Sequence, residues 1–379
     1  MNRLVSVAPM MDCTDRHERY FLRLISKNVL LYTEMIVSEA IDRGDKKKLL
    51  DFNIKEKPVA LQLGGSSPKL LANATKIGES FGYDEINLNL GCPSKKVQKN
   101  KFGACLMKEP SLVADCLNEM VSSTKLPVTV KTRIGYDNVE DYENIYSFIN
   151  LLSKTGVKTF IIHARKAMLG KFTPKQNLNI PPLKYEVVYK LKKDFPNLEI
   201  IINGGITDTD QIKNHLKKVD GVMIGRSIYH SPYFLADIEK KIYSNENIST
   251  REEVIKELVD YIKVEIKKGT KLHHIMRHTL GLFHGKSGSS FWKSKHNGLM
   301  GYPTESDCER LGKDTEELFW EMFNGNFYDE TRWELVDVIG NVYNRMAIWD
   351  AQLVHSATKY FGDKKENSRL FHMFFFDAE

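Results

Sequence analysis

The chain has 379 residues, with 42% hydrophobic and 27% charged side chains and a formal net charge of +6. This is the balance of a water-soluble globular protein large enough for one big domain with additions. No run of about 18 apolar residues is present, so no membrane-spanning helix is expected. The N-terminal stretch MNRLVSVAPM is too short and too soon followed by Asp12 and Asp15 to read as a secretory signal. The five cysteines (13, 92, 105, 116 and 308) form no CxxC pair, which excludes a disulfide framework and a structural zinc site and points to a reducing, cytoplasmic setting.

The charge is unevenly spread. From residue 298 onward there are 8 Lys and Arg against 16 Asp and Glu, a net of −8, which leaves +14 for the rest. So basic a body suits a polyanionic partner; a solvated lysine-rich surface would look the same by charge alone.

Eight β-type runs follow in order: LVSVAPM (4–10), NVLLYTEMIV (28–37), PVALQLGG (58–65), DEINLNLG (84–91), LPVTVKTRIG (126–135), KTFIIHAR (158–165), LEIIINGG (198–205) and GVMIG (221–225). Helix-patterned segments such as 68–82 and 111–124 lie between most of them. This alternation predicts an α/β fold, a (β/α)8 TIM barrel over residues 1–240, whose chemistry would lie where the strands end. Those ends carry Pro9, Met10, Glu34, Gln62, Asn87, Asn89, Cys92, Lys131, Arg133, His163, Asn203, Gly204, Gly205, Gly225 and Arg226. The glycine turns after the seventh and eighth runs, with Arg226 beside them, suit a phosphate-bearing cofactor. Gln62, Lys131 and His163 could surround a flat ring such as a flavin, with Gln62 donating at one edge and Lys131 placing a cation near the ring. Taken singly, each has a structural explanation; their shared place at strand ends favours a site.

The ordered strings APMMDCTDRHERYFLRL, LLYTEM, LQLGG, NLNLGCPS, FGACLM, VKTRIG, HARKA, NGGI and IGR together resemble the tRNA-dihydrouridine synthase family, most of all its bacterial A subgroup, over residues 4–297. The resemblance implies FMN held by Pro9, Met10, Met11, Gln62, Lys131, His163, Asn203, Gly204, Gly205, Gly225 and Arg226, with NADPH as electron donor. It implies reduction of the carbon 5–carbon 6 double bond of a D-loop uridine at positions 20/20a. Cys92 would be the general acid that delivers a proton to carbon 5. Asn89, Lys95, Lys96, Arg133, Lys175 and Arg277 would contact an extruded base or the tRNA backbone. A helical tRNA-binding domain is expected over 241–297, where Val254, Leu258, Ile262 and Ile266 keep helical spacing. Three positions depart from the family pattern: Cys13 stands where tryptophan is usual, Leu178 where arginine is usual, and the arginines around Trp292 are missing. These bear on tRNA affinity and site choice rather than on catalysis.

The segment 298–379 is acidic and aromatic. Its end resembles the C-terminal half of an iron/2-oxoglutarate oxygenase-like double-stranded β-helix, in which His355 would be a metal ligand and Arg369 an oxoacid anchor. No His-x-Asp or His-x-Glu occurs between 298 and 355, so no iron site is expected. An incomplete β-rich domain should pack on the body, associate with a second copy or lack order; the chain is otherwise expected to be a monomer. Rival readings are an FMN barrel that reduces a small enone or free pyrimidine, a non-catalytic tRNA binder, and an oxygenase acting through the tail.

Overall fold

The computed structural model describes residues 2–139, 141–170 and 172–286, together with the backbone of three later strands. The first part runs β1 (Val5–Val7), α1 (Arg16–Ile25), β2 (Leu31–Val37), α2 (Ser38–Arg43), α3 (Lys46–Leu50), β3 (Val59–Gly64), α4 (Pro68–Ser80), β4 (Glu85–Asn89), α5 (Lys95–Lys99), α6 (Pro110–Ser122), β5 (Val128–Arg133) and α7 (Tyr142–Ser153). It continues with β6 (Thr159–His163), α8 (Pro174–Asn179), α9 (Tyr185–Asp194), β7 (Glu199–Asn203), α10 (Thr209–Leu216), β8 (Gly221–Ile224), α11 (Arg226–His230), α12 (Phe234–Ile242), α13 (Arg251–Lys267) and α14 (Leu272–Met276).

Neighbouring strands pair in parallel in the order β1-β8-β7-β6-β5-β4-β3-β2. The ring closes where Val7 N donates to Leu30 O (2.9 Å) and Leu30 N to Val5 O (3.2 Å), so all eight expected strands stand in one (β/α)8 barrel. Strand period 2 decides what each strand turns inward. On β4, Ile86 and Leu88 alternate with Glu85, Asn87 and Asn89, and all five are buried. Elsewhere the core is closed by an apolar cluster of Leu30, Tyr32, Ala60, Ile161, Ile201 and Met223. Helices start on side-chain caps that satisfy free N–H groups: Asp15 for α1, Ser67 for α4, Asp141 for α7, Asp208 for α10, and a Thr250–Glu253 capping box for α13.

The chain divides into two compact units, Met1–His284 and Gly285–Glu379. The helices beyond the barrel belong to the first. Tyr261 of α13 stacks on Tyr20 of α1 with ring centres 3.9 Å apart, its hydroxyl is 2.7 Å from His17 Nδ1, and Glu265 accepts from Arg16 at 2.8 Å. In the second unit, β9 (Trp333–Gly340), β10 (Val354–Phe361) and β11 (Leu370–Ala378) form an antiparallel sheet in the order β10-β11-β9. His355 falls on β10; Arg369, Trp292 and the rest of 287–332 lie outside the described residues. No described helix is long and apolar enough to cross a membrane, and among the described residues no group of three or more His, Cys, Asp or Glu is placed to hold a metal ion.

The first helix is locked to the barrel base by a buried ion pair, Arg19 Nε to Glu56 Oε2 at 2.7 Å, with side chains 5% and 0% exposed. Removing one partner strands the other charge in the interior. Glu56→Ala should therefore destabilise the protein by about 3–5 kcal/mol, measured by urea denaturation.

Candidate active site at the barrel mouth

The C-terminal ends of the strands open on a cavity of about 380 Å³, ample for a flat heterocycle. Fourteen of the residues singled out from sequence line it: Pro9, Met10, Met11, Gln62, Asn89, Cys92, Lys131, Arg133, His163, Asn203, Gly204, Gly205, Gly225 and Arg226. Of the others, Glu34 on β2 and Asn87 on β4 are not part of its lining, and four more lie elsewhere. Lys95 and Lys96 are exposed on α5, and Lys175 is exposed on α8. Arg277 follows α14 and donates to Asp15 Oδ2 at 2.6 Å, which ties α14 to the N-terminus of α1.

Cys92 sits on a loop with little freedom. Asn89 Oδ1 accepts the N–H groups of both Gly91 and Cys92, each at 3.0 Å. Gly91 O accepts from Arg133 Nε (2.8 Å), Cys92 O from Ala104 N (2.9 Å) and Pro93 O from Gln98 Nε2 (2.7 Å). Ser94 then caps α5 through Val97 N. With its backbone groups bonded on both sides, the half-buried thiol is presented to the cavity from a fixed base. Arg133 is itself buried, and its Nη1 donates to Lys166 O (3.2 Å) and Asn177 O (3.3 Å), so it braces the loop as well as lining the cavity.

The cavity floor gathers positive charge. Lys131 Nζ donates to Asn203 Oδ1 at 3.1 Å, and Asn203 in turn donates to Met223 O at 2.8 Å. Burial, and then the nearby Arg133 charge, pull the Lys131 ammonium down to about 7. Burial and the charges of Arg133, Lys131, Arg165 and Arg226 push His163 well below the usual histidine range, so it is a neutral imidazole. Its Nδ1 accepts from Arg165 N at 3.1 Å, which leaves the proton on Nε2. Gln62 is positioned by amide contacts: its Oε1 accepts from Asn89 Nδ2 (2.7 Å) and its Nε2 donates to Asn87 Oδ1 (2.8 Å).

The two glycine loops adjoin. Gly204 and Gly205 have φ of +123° and +74°, and a Cβ on Gly205 would stand 2.6 Å from Leu183 Cδ1. Among the described residues no acceptor is found for the N–H groups of Gly204, Gly205, Gly225 or Arg226. Unpaired N–H groups beside a neutral N–H imidazole and a lysine are a donor set that fits a phosphate-bearing, electron-rich ring such as FMN. Arg226 reaches across to α8, donating to Asn179 Oδ1 (2.8 Å) and Leu178 O (3.3 Å), so it joins two loops of the rim.

Sequence reasoning did not bring Met35 or Pro174 to the site, nor place Cys13 and Leu178 in its wall. Nor did it find the cluster behind that wall. Glu18 is fully buried with neither carboxylate oxygen hydrogen-bonded, and its Oε2 is 3.4 Å from His278 Nδ1. Burial and the Asp15 charge hold Glu18 well above the usual carboxylate range, so it is a neutral acid. A charged residue on the inner face of an amphipathic helix was the available signal.

A closed parallel barrel with a pinned thiol, a buried lysine and paired glycine turns at its C-terminal mouth has the layout of a barrel enzyme's site. Residues 6–313 match the family model described as "Dihydrouridine synthase (Dus)". The chain is 52% identical over 290 residues to a tRNA-dihydrouridine(20/20a) synthase of Synechocystis sp., covering 76% of this chain and 87% of the relative. Similar relatives of the same description come from Shewanella oneidensis (50% over 296 residues, 77% and 88% covered) and Escherichia coli K12 (52% over 290 residues, 76% and 84% covered). The chain belongs to the dihydrouridine synthase family.

The Lys131 ammonium gives a signed pH dependence. Its ordinary value is near 10.4 when unfolded and about 7 when folded, so between these the unfolded chain holds the extra proton and stability rises with pH. Lys131→Met removes this dependence. In the ligand-free protein, the variant should gain most on its parent at or below pH 7, and the gain should fade toward pH 10, measured by urea midpoints across that range.

Proposed function

We propose that this chain reduces the carbon 5–carbon 6 double bond of D-loop uridines at positions 20/20a of tRNA, with FMN bound at the barrel mouth and NADPH as electron donor. The observation that carries the reading is the pinned Cys92 thiol facing the same cavity as Lys131, His163 and the glycine turns. The described relatives, about half identical over most of their length, support the substrate.

FMN, when bound and reduced by NADPH, would supply the hydride (an electron pair with its hydrogen) that goes to carbon 6 of the uracil. The chain's own residues do the rest. The backbone N–H groups of Gly204, Gly205, Gly225 and Arg226 hold the cofactor phosphate, with His163 Nε2–H beside it. The Lys131 ammonium offsets negative charge on the ring. Cys92 gives its proton to carbon 5 as charge builds there, which completes the addition of two hydrogens across the double bond and leaves a thiolate to be reprotonated from solvent. Asn89 has one Nδ2 hydrogen left after its bonds to Gln62 and the Cys92 loop, and this reads an edge of the base. Arg133 supports the same loop. Lys95, Lys96 and Lys175, exposed beside the mouth, meet tRNA phosphates. Arg277, anchored to Asp15, presents α13 and α14 as the helical part of the RNA-binding surface over 241–297.

Purified protein should be yellow and bleach with NADPH, and undermodified tRNA should restore the colour while free uracil or a small enone does not. Cys92→Ala should keep FMN and bleach normally, yet lose roughly 10²–10⁴-fold in dihydrouridine formation, the usual contribution of a general acid. Dihydrouridine formed at the parent rate by that variant would remove Cys92 from the mechanism. Lys95→Ala with Lys96→Ala should reduce the salt dependence of tRNA binding, lowering the log–log slope by about 1–2.

A further inference from the structure

Below the cavity a hydrogen-bond chain runs down the inside of the barrel, and every donor in it points the same way. Asn89 Nδ2 donates to Gln62 Oε1 (2.7 Å), Gln62 Nε2 to Asn87 Oδ1 (2.8 Å), Asn87 Nδ2 to Thr129 Oγ1 (2.8 Å), and the Thr129 hydroxyl to Glu85 Oε1 (2.6 Å). Gln62, Asn87, Thr129 and Glu85 are 0–1% exposed. Glu85 also accepts from Tyr32 Oη (2.5 Å) and, on Oε2, from Arg3 Nε (2.6 Å); Arg3 continues to Glu199 (2.9 Å).

Both ends dictate the direction. At the top, Asn89 must turn its carbonyl to two backbone N–H groups, so its amide nitrogen faces Gln62. At the bottom, Glu85 is ion-paired with Arg3 and accepts on both oxygens, so Thr129 donates downward and accepts from Asn87. Each intermediate amide is then fixed in the one orientation that satisfies both neighbours. Glu85 and Asn89 stand four residue steps apart on β4, about 13 Å.

We propose that Glu85 is a positioning residue for the active site: through Thr129, Asn87 and Gln62 it fixes which atoms Gln62 turns to the cavity and keeps Asn89 oriented to hold the Cys92 loop. The role of Gln62 toward bound FMN rests on the function proposed above; the effect on the Cys92 loop does not.

Glu85→Gln sets up a conflict. Arg3 Nε requires the new amide's oxygen, which turns its NH₂ toward Thr129. The Thr129 hydroxyl then accepts from below and its proton is released to turn on Asn87, so the direction of the chain is no longer fixed and the hold on Gln62 and Asn89 loosens. Thr129→Val cuts the chain midway and leaves the Arg3–Glu85–Glu199 ion pairs in place. Arg3→Lys perturbs the ion pairs and leaves the Glu85 carboxylate and the direction intact.

Two readouts test this. In the flavin-free protein, alkylation of Cys92 by iodoacetamide, located by peptide mass, should speed up about tenfold in Glu85→Gln and Thr129→Val, the effect of one misdirected buried hydrogen bond, and stay at the parent rate in Arg3→Lys. In the FMN-loaded enzyme, Glu85→Gln and Thr129→Val should shift the visible absorption bands and lower kcat about tenfold with KM for tRNA little changed, whereas Arg3→Lys should lower only the melting temperature. If Glu85→Gln does not fold, Thr129→Val carries the test. Lower melting temperature with parental alkylation rates in both chain variants would reduce Glu85 to a structural ion-pair partner and overturn the proposal. A parent protein without flavin or tRNA activity would sink the proposed function, and the alkylation result would still decide the role of Glu85.

Discussion

The double hydrogen bond from Gly91 and Cys92 to the carbonyl of Asn89 is the constraint on which the rest of the site depends. It turns a short asparagine at the end of β4 into the clamp for the reactive loop. Because an amide has one acceptor side and one donor side, that clamp leaves a nitrogen pointing inward. Gln62, Asn87 and Thr129 below it are buried, so that nitrogen is met by a polar partner from the barrel, and that partner needs another. The buried column from Gln62 to Glu85 follows from this requirement. A pinned thiol at the top thus accounts for the carboxylate and the arginine at the bottom, and for the half-polar interior of a barrel whose other strands pack on Ile161, Ile201 and Met223.

The charges at the mouth follow a different rule. Lys131 and Arg133 occupy inward positions two residues apart on β5, and His163 lies across from Arg133 on β6. Crowding cations in a half-buried floor is unfavourable in the ligand-free protein: Lys131 is pulled down to about 7 and His163 stays neutral. On the proposed function, the phosphate-bearing cofactor would complete such a floor. The glycine turns offer N–H dipoles rather than further cations, which avoids adding to the repulsion. Stability and readiness for a negatively charged ligand are therefore opposed at the same few atoms.

The barrel was legible in the sequence because its strands are β-branched runs bounded by glycine, proline and asparagine, and each of the eight expected runs contains the observed strand. The cavity was legible because a closed barrel brings all C-terminal strand ends to one mouth, so naming the ends names the wall. What local pattern cannot reveal is a side chain's partner. Arg277 looks like one more basic residue of an RNA-binding surface, and only the fold shows it paired with Asp15, 262 residues away. Arg226 reads as an anion ligand, yet spends two donors on α8. The short helices α2 and α3 and the Glu18–His278 contact left no periodicity long enough to detect. The alternation of Glu85, Asn87 and Asn89 was visible in the string EINLN; its meaning needed Thr129 from the next strand.

The attachment of α13 to α1 bears on how a large substrate could be accommodated. Burial drives His17 down to about 4, so the imidazole facing the Tyr261 hydroxyl is neutral and the contact is an uncharged hydrogen bond beneath a stacked pair of tyrosines. Together with Arg16–Glu265 and Asp15–Arg277, it makes the helices and the mouth parts of one compact unit. The Cys92 loop is equally fixed. With these helices and the Cys92 loop held in this way, on the proposed function the deformation falls on the RNA. The uridine must leave its stack and enter the cavity, while basic side chains at the rim hold the phosphates against the cost of unstacking.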